Sequence, residues 1–297
     1  MALACFVLST AGTSMARNHH KSAKNLASIT GDPTPISSCG TLSAANTLYQ
    51  LSADITTNTT GDCLVLLGSN IVLDLHNFNI TGPGTSASNG AGIRVIGVND
   101  VVEGFNGAVT DFKYGARDQG WGTSGEDLNL TGNGTGLYLN GDFGGKWSNL
   151  NLSSNGVGAL ISRAHISLLE DFSAQSNAGD AVWVKDSDNV NVDFFDVESN
   201  GGNGIHVGCA TNTPDCDNRN VVVSNSYSDG NTSDGVLLDV TEVNSADRVM
   251  NNNASGNSGI DLNDASSSCG GNYWFDNLAG TSEAGGSPSP ACIPLNP

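Results

Sequence analysis

A four-residue unit, glycine followed by aliphatic, variable and aliphatic residues, recurs through this chain at a nearly constant interval. It stands at Gly92-Ile93-Arg94-Val95, Gly136-Leu137-Tyr138-Leu139, Gly158-Ala159-Leu160-Ile161, Gly204-Ile205-His206-Val207, Gly235-Val236-Leu237-Leu238 and Gly259-Ile260-Asp261-Leu262. A degenerate copy is Ala181-Val182-Trp183-Val184, and from Gly136 the spacings run 22, 23, 23, 31 and 24. The interval of 44 between Gly92 and Gly136 holds a weaker copy, Gly115-Ala116-Arg117. Self-similarity at a fixed period of this size marks a solenoid, in which each repeat buries its apolar face only against its neighbours.

Five or six residues after each unit comes a second alternating stretch, as in Val101-Val102-Glu103-Gly104-Phe105, Ile166-Ser167-Leu168, Val190-Asn191-Val192-Asp193-Phe194 and Val221-Val222-Val223. Short stretches of period two are strands, and no stretch carries the 3.6-residue apolar stripe of a helical repeat. The 38 glycines and 35 asparagines oppose helix as well, one through backbone entropy and the other by competing for backbone hydrogen bonds. Short strands and tight turns in each ~22 residues make one coil of a parallel β-helix, stacked ~4.8 Å from the next. Right-handed winding follows the general crossover preference. An asparagine precedes most units (Asn133, Asn155, Asn177, Asn200, Asn231, Asn257) and is expected to stack at one corner, its amide bonding the coils above and below.

The segment from Cys39 through Leu48-Tyr49-Gln50-Leu51, Gly61-Asp62-Cys63-Leu64 and Asn70-Ile71-Val72-Leu73-Asp74-Leu75 to Ile80-Thr81-Gly82 resembles the opening of secreted right-handed parallel β-helix proteins of the pectate-lyase-like superfold, including the NosD-type group. The resemblance covers residues 39–265 and implies an all-β, single-domain solenoid of about nine or ten coils of 22–24 residues. It is specific for fold only, because this superfold carries lyases, hydrolases, epimerases, adhesins and inert repeats. Residues 266–297, including Cys269, Trp274 and Cys292, break the period and read as a C-terminal cap, which an open solenoid end requires.

Residues 1–16 carry a short apolar run ending near Ser14-Met15-Ala16, the pattern of a secretory signal without its charged start, and residues 17–38 read as a polar segment. Without Cys5, six cysteines remain, in near pairs: Cys39 with Cys63, Cys209 with Cys216, and Cys269 with Cys292. Six cysteines allow 15 pairings, of which local closure is the simplest. No zinc-type spacing occurs, so disulfides in an extracellular or periplasmic compartment are the better reading. Eleven Lys and Arg against 30 Asp and Glu give a net charge of −19 and no basic stripe for nucleic acid. No apolar run reaches the roughly 20 residues of a membrane span. Seven Asn-x-Ser/Thr triplets (Asn58, Asn79, Asn129, Asn133, Asn151, Asn231, Asn253) are mostly what so Asn-rich a chain produces by composition.

The variable position of each unit points outward. Down the coils this gives Val65, Arg94, Arg117, Tyr138, Leu160, Trp183, His206, Leu237 and Asp261, and two residues further Gln119, Asn140, Ser162, Lys185, Asp239 and Asn263. An aromatic ring for the apolar face of a pyranose, beside amide, carboxylate and cation for its hydroxyls, is what a sugar site needs. Tyr138, Asn140, Trp183, Lys185, His206 and Asp239 are therefore the candidate substrate-binding residues, with a polysaccharide or surface glycan as partner. A half-exposed strand also carries mixed residues for no functional reason.

An enzyme acting on uronate polymers needs a base and a cation to quench developing charge; Lys185 and His206 are candidates for the first, Arg94 and Arg117 for the second. The resemblance implies that calcium-dependent lyases gather several carboxylates, that hydrolases use paired Asp with Gly-His-Gly, and that alginate epimerases use Asp-Pro-His. The matched positions here hold Asn140, Ser162, Lys185, Gly208 and Asp239, with one acid, and the other two signatures are absent. No cofactor is implied. Calcium has only weak support, from Asp186-Ser187-Asp188-Asn189 and Asp215-Cys216-Asp217, which read better as solvated turns. A third role is a stiff structural or adhesive spacer, favoured if a loop such as 119–127 covers Tyr138 and Trp183.

Overall fold

The computed structural model describes residues 29, 31–209, 218–239, 246–266, 269–288 and 291–294. The expected signal segment and most of the polar segment after it, together with Cys216 and Asp215-Cys216-Asp217, lie outside these residues. Within them every regular element is a β-strand, wound into a solenoid of about 10 turns.

The glycine-led units form one wall. Strands Leu64–Leu66, Ala91–Val95, Tyr114–Asp118, Thr135–Asn140, Val157–Ser162, Val182–Lys185, Ile205–Gly208 and Val236–Asp239 pair in parallel, each with its copy in the next coil. The second stretches form the other sheet, in which Lys146–Asn151, Leu168–Gln175 and Asn191–Glu198 are the longest strands. These bend midway, where Asn149, Asp171 and Phe194 take left-handed backbone angles (φ 52, 50 and 48°). A third ladder of single bridges runs Ser69, Val98, Trp121, Phe143, His165, Asp188 and Arg219.

Alternation puts Leu137, Leu139, Ala159, Ile161, Val182, Val184, Ile205 and Val207 inside, all fully buried. A phenylalanine stack, Phe172 on Phe195 at 5.3 Å, fills the interior behind the second sheet. The expected asparagine ladder is present and buried. The Asn177 side-chain oxygen accepts from the Asn155 backbone at 2.8 Å, the Asn200 oxygen from Asn177 at 2.9 Å, and the Asn231 oxygen from Asn200 at 3.1 Å. Every amide is thus bonded along the axis, which offsets its desolvation. The Asn133 and Asn231 triplets belong to this ladder and are closed to solvent.

The turn after each single bridge is left-handed: Asn70, Asn99, Gly122, Gly144, Ile166, Asn189 and Asn220 all have φ between 55 and 73°. Asparagine and glycine tolerate this region; a β-branched isoleucine does not. Cys39–Cys63 and Cys269–Cys292 are bonded as the local pairing predicts, and Cys209 is disulfide-bonded too. At the far end Ser287–Pro288 folds back antiparallel onto Ser282–Ala284, which stops the parallel progression.

One register differs from the sequence reading. Val236 pairs with Leu262 and Leu237 with Asn263, so Asn263, not Asp261, continues the outward column. The turn before this strand holds two more residues than the glycine spacing suggests. Asp261 is instead buried, accepting bonds from Asn257, Gly280 and Thr281.

Candidate functional site

Because the pairing is in register, side chains distant in sequence form one outward column: Val65, Arg94, Arg117, Tyr138, Leu160, Trp183, His206, Leu237 and Asn263. Tyr138 and Trp183 stand on the same wall, separated by Leu160. Residues 119–127 are built into a coil, with Trp121 in the bridge ladder and Ser124–Glu126 in the second sheet.

The most developed cluster surrounds His206. Its imidazole stacks on the Trp183 indole at 5.4 Å and 3° from parallel. Nδ1 lies 3.2 Å from the Asp180 carboxylate, and Nε2 lies 3.8 Å from that of Asp239. Asp180 is anchored in turn by the Asn203 backbone N–H at 2.7 Å and its side-chain amide at 3.0 Å. The indole N–H donates to the Gly208 carbonyl at 2.8 Å, and the Lys185 ammonium sits 4.3 Å from the indole centre. The cluster joins rings, cation and two carboxylates from three consecutive coils. The imidazole is thus oriented by a carboxylate at one nitrogen, while the other, facing Asp239, is buried without a hydrogen-bond partner.

The other predicted residues are placed differently. Asn140 is buried, and its side-chain oxygen accepts from Arg163 at 2.9 Å. Arg94 is engaged by Asp62 and Gln119, both at 3.0 Å. Arg117 packs against a tyrosine pair, its guanidinium 5.8 Å from the Tyr114 ring and 5.6 Å from the Tyr138 ring, and those two rings lie against each other with centres 4.9 Å apart.

Sequence reasoning missed Asp180, Tyr114 and the bridge ladder. In that ladder Trp121 (62% exposed) stacks on Phe143 at 5.3 Å, and Phe143 meets His165 at 6.3 Å. His165 bonds Asp188, so Asp188 is engaged rather than held open for calcium. The signal was available, since positions 121, 143, 165 and 188 repeat at the coil period. It was hidden because turns carry no alternation to set their register.

The second sheet carries a column of acids. Arg94, Lys113, Arg117, Arg163 and Lys185 lie along the first sheet or at its strand ends, whereas Asp74, Glu103, Glu126, Glu170 and Asp193 share one column on the second, interrupted by Ser148. Burial, then the neighbouring Glu126 and Asp74, push the Glu103 carboxyl up to about 7. A further group, Asp100, Asp118 and Asp142, is buried inside. Burial and then Asp118 raise Asp142 to about 7, and burial raises Asp100 to about 6. Among the described residues no three His, Cys, Asp or Glu side chains are placed to hold a metal ion.

No family model matches the chain, and no curated protein matches it in sequence. Solved structures do. The Dettilon tailspike protein gp208 superposes with a TM-score of 0.64 at 13% identity over 85% of this chain and 54% of that one. The Azotobacter vinelandii mannuronan C-5 epimerase AlgE4 A-module gives 0.57 at 14% identity, covering 89% of this chain and 88% of its own. Pectate lyase Pel9A gives 0.51 at 18%, covering 85% and 68%. The chain spans about half the length of the tailspike. These likenesses establish the fold, a right-handed parallel β-helix of the pectate-lyase-like kind. Among the described residues no helix is long and apolar enough to cross a membrane.

Proposed function

We propose that this protein is secreted and binds extracellular or cell-surface polysaccharide along the outward face of its glycine-led sheet. The observation that carries this is the Trp183–His206 stack flanked by Lys185, Asp180 and Asp239. An aromatic surface with hydrogen-bonding groups of both signs at its rim suits a pyranose, which has apolar faces and an equatorial belt of hydroxyls. His206 covers one indole face, and the Lys185 ammonium near the ring is a movable group that a bound sugar displaces. Two of the structural neighbours are named for action on mannuronan and pectate; at such low identity they support the fold, and the proposal rests on the side chains. The disulfides fit an oxidising compartment.

The test is affinity gel electrophoresis against a panel of polysaccharides. Wild-type protein should be retarded by at least one polymer, and Trp183→Ala should lose most of that retardation with its circular dichroism unchanged. Equal retardation of the two proteins would refute the site.

A second reading, a lyase or epimerase on uronate polymers, has one observation in its favour: His206 is oriented between two carboxylates beside Lys185. Incubation with pectate and alginate, with and without calcium, should then yield unsaturated product detected by ultraviolet absorbance, or epimerised sugar detected by NMR. Absence of both would remove this reading and leave binding or a stiff spacer.

A further inference from the structure

Arg117 is anomalous in its surroundings. The chain carries a net charge of −19, so a basic side chain here should readily find a polar partner. Arg94 holds Asp62, Lys146 holds Glu170 at 2.7 Å, Arg163 donates to Asn140, and Arg248 donates to Asn220 at 3.0 Å. Arg117 forms no ion pair among the described residues, and its Nε is buried without a hydrogen-bond partner. A half-buried cation with an unsatisfied donor costs free energy unless something completes it.

The two tyrosines supply part of that completion. A guanidinium within about 6 Å of a ring centre gains cation–π attraction, and two rings add to it. Tyr114 and Tyr138 hold Arg117 in this way from two positions on the wall. Aromatic contacts leave the in-plane N–H groups unbonded; Nε is closed to solvent, so the terminal N–H groups are the ones that match the geometry of a planar or tetrahedral oxyanion. Lys113 adds a second cation, its ammonium 5.2 Å from the Tyr114 centre, and it too has no ion pair among the described residues. Arg94 differs in that Asp62 neutralises its charge and Gln119 takes its Nε–H.

We propose that Arg117, with Lys113 nearby and the Tyr114–Tyr138 pair as its support, is a subsite for the anionic substituent, carboxylate or sulfate, of a glycan lying along this wall. Arg117 and Trp183 are three coils apart, ~14 Å at the strand spacing, so one oligosaccharide reaches both. The inference rests on the polysaccharide-binding reading given above, and it places an anion site on a chain that is acidic overall. The relevant charge is local, because screening confines surface fields to roughly 8–10 Å.

The experiment compares matched polymers: polygalacturonate against its carboxyl-reduced form, and dextran sulfate against dextran, by affinity gel electrophoresis of wild type, Arg117→Gln, Arg117→Lys and Trp183→Ala. Wild type should bind one anionic member about tenfold more tightly than its neutral partner, and the preferred pair identifies carboxylate or sulfate. Arg117→Gln should abolish that preference, whereas Trp183→Ala weakens binding to both members of the pair. Arg117→Lys keeps the charge but loses the planar fork. It should retain a reduced preference and serves as the readout if the glutamine variant does not fold. A preference unchanged in both Arg117 variants would overturn the subsite. Equal binding of charged and neutral polymers by wild type would overturn it too while leaving the polysaccharide surface standing. No binding to any polymer would overturn both.

Discussion

Trp183 and His206 lie face to face on adjacent coils, 5.4 Å apart and 3° from parallel. Parallel register alone sets this pair, with Trp183 opposite His206 and Val184 opposite Val207. The indole is fixed further by its bond to the Gly208 carbonyl, and the imidazole by Asp180. Trp183→Phe should keep the stack and lose only the indole bond, at a cost of about 1 kcal/mol. Trp183→Ala should cost more, about 2 kcal/mol for a half-buried ring. Urea denaturation separates the two; a phenylalanine variant as unstable as the alanine variant would mean that the N–H, not the ring, holds the pair.

Asn200 is a joint between three coils. Its amide nitrogen donates to the Ala174 carbonyl at 3.0 Å and to Asn231 at 2.9 Å, and its oxygen accepts from Asn177. Asn200→Ala leaves several buried groups unpaired, and we expect about 2–4 kcal/mol of destabilisation. A loss below about 0.5 kcal/mol in equilibrium unfolding would show that the ladder is incidental to stability.

Stability should fall as pH rises from about 5 to 8. Asp142 and Asp100 hold their protons to about 7 and 6 respectively, against ~3.9 for an unfolded aspartate. Between those values the folded chain binds more protons than the unfolded one, so the contribution is complete below ~4 and is lost as pH passes the folded values. The melting temperature should therefore be higher near pH 5 than near pH 8, and Asp142→Asn should flatten the difference. A profile that rises toward pH 8 would contradict the burial argument.

Ile166 occupies a turn position where the other coils of the bridge ladder carry asparagine or glycine, with φ 56° and its side chain 57% exposed. The backbone strain has little packing to offset it. Ile166→Asn should stabilise the protein by about 1 kcal/mol and raise the melting temperature by about 2 °C. A lower melting temperature would show that the isoleucine side chain makes a contact worth more than the strain.

The fold was legible from the chain because a parallel β-helix is nearly one-dimensional. Glycine-led units, alternating stretches and corner asparagines recur once per coil, and each repeat meets only its neighbours. The outward column from Val65 to Leu237 followed from that period. Asp261 was assigned to it wrongly, because a turn of different length slides the register without disturbing alternation on either side. The aromatic ladder of Trp121, Phe143 and His165 escaped notice for a related reason: its members sit in turns, where no period-two signal marks which residue faces outward.

What tertiary structure alone decided is how the outward groups engage one another. The same chemistry stands at Arg94 and Arg117, yet Asp62 reaches the first and a pair of tyrosine rings supports the second. Asn140 and Asp239 look equally available in sequence, yet one is buried under Arg163's bond and the other faces His206. Period and composition determine which residues share a wall, since backbone hydrogen bonding enforces the repeat. Which of them pair or stay open depends on side-chain reach between coils, and that is settled only when the coils are laid one on another.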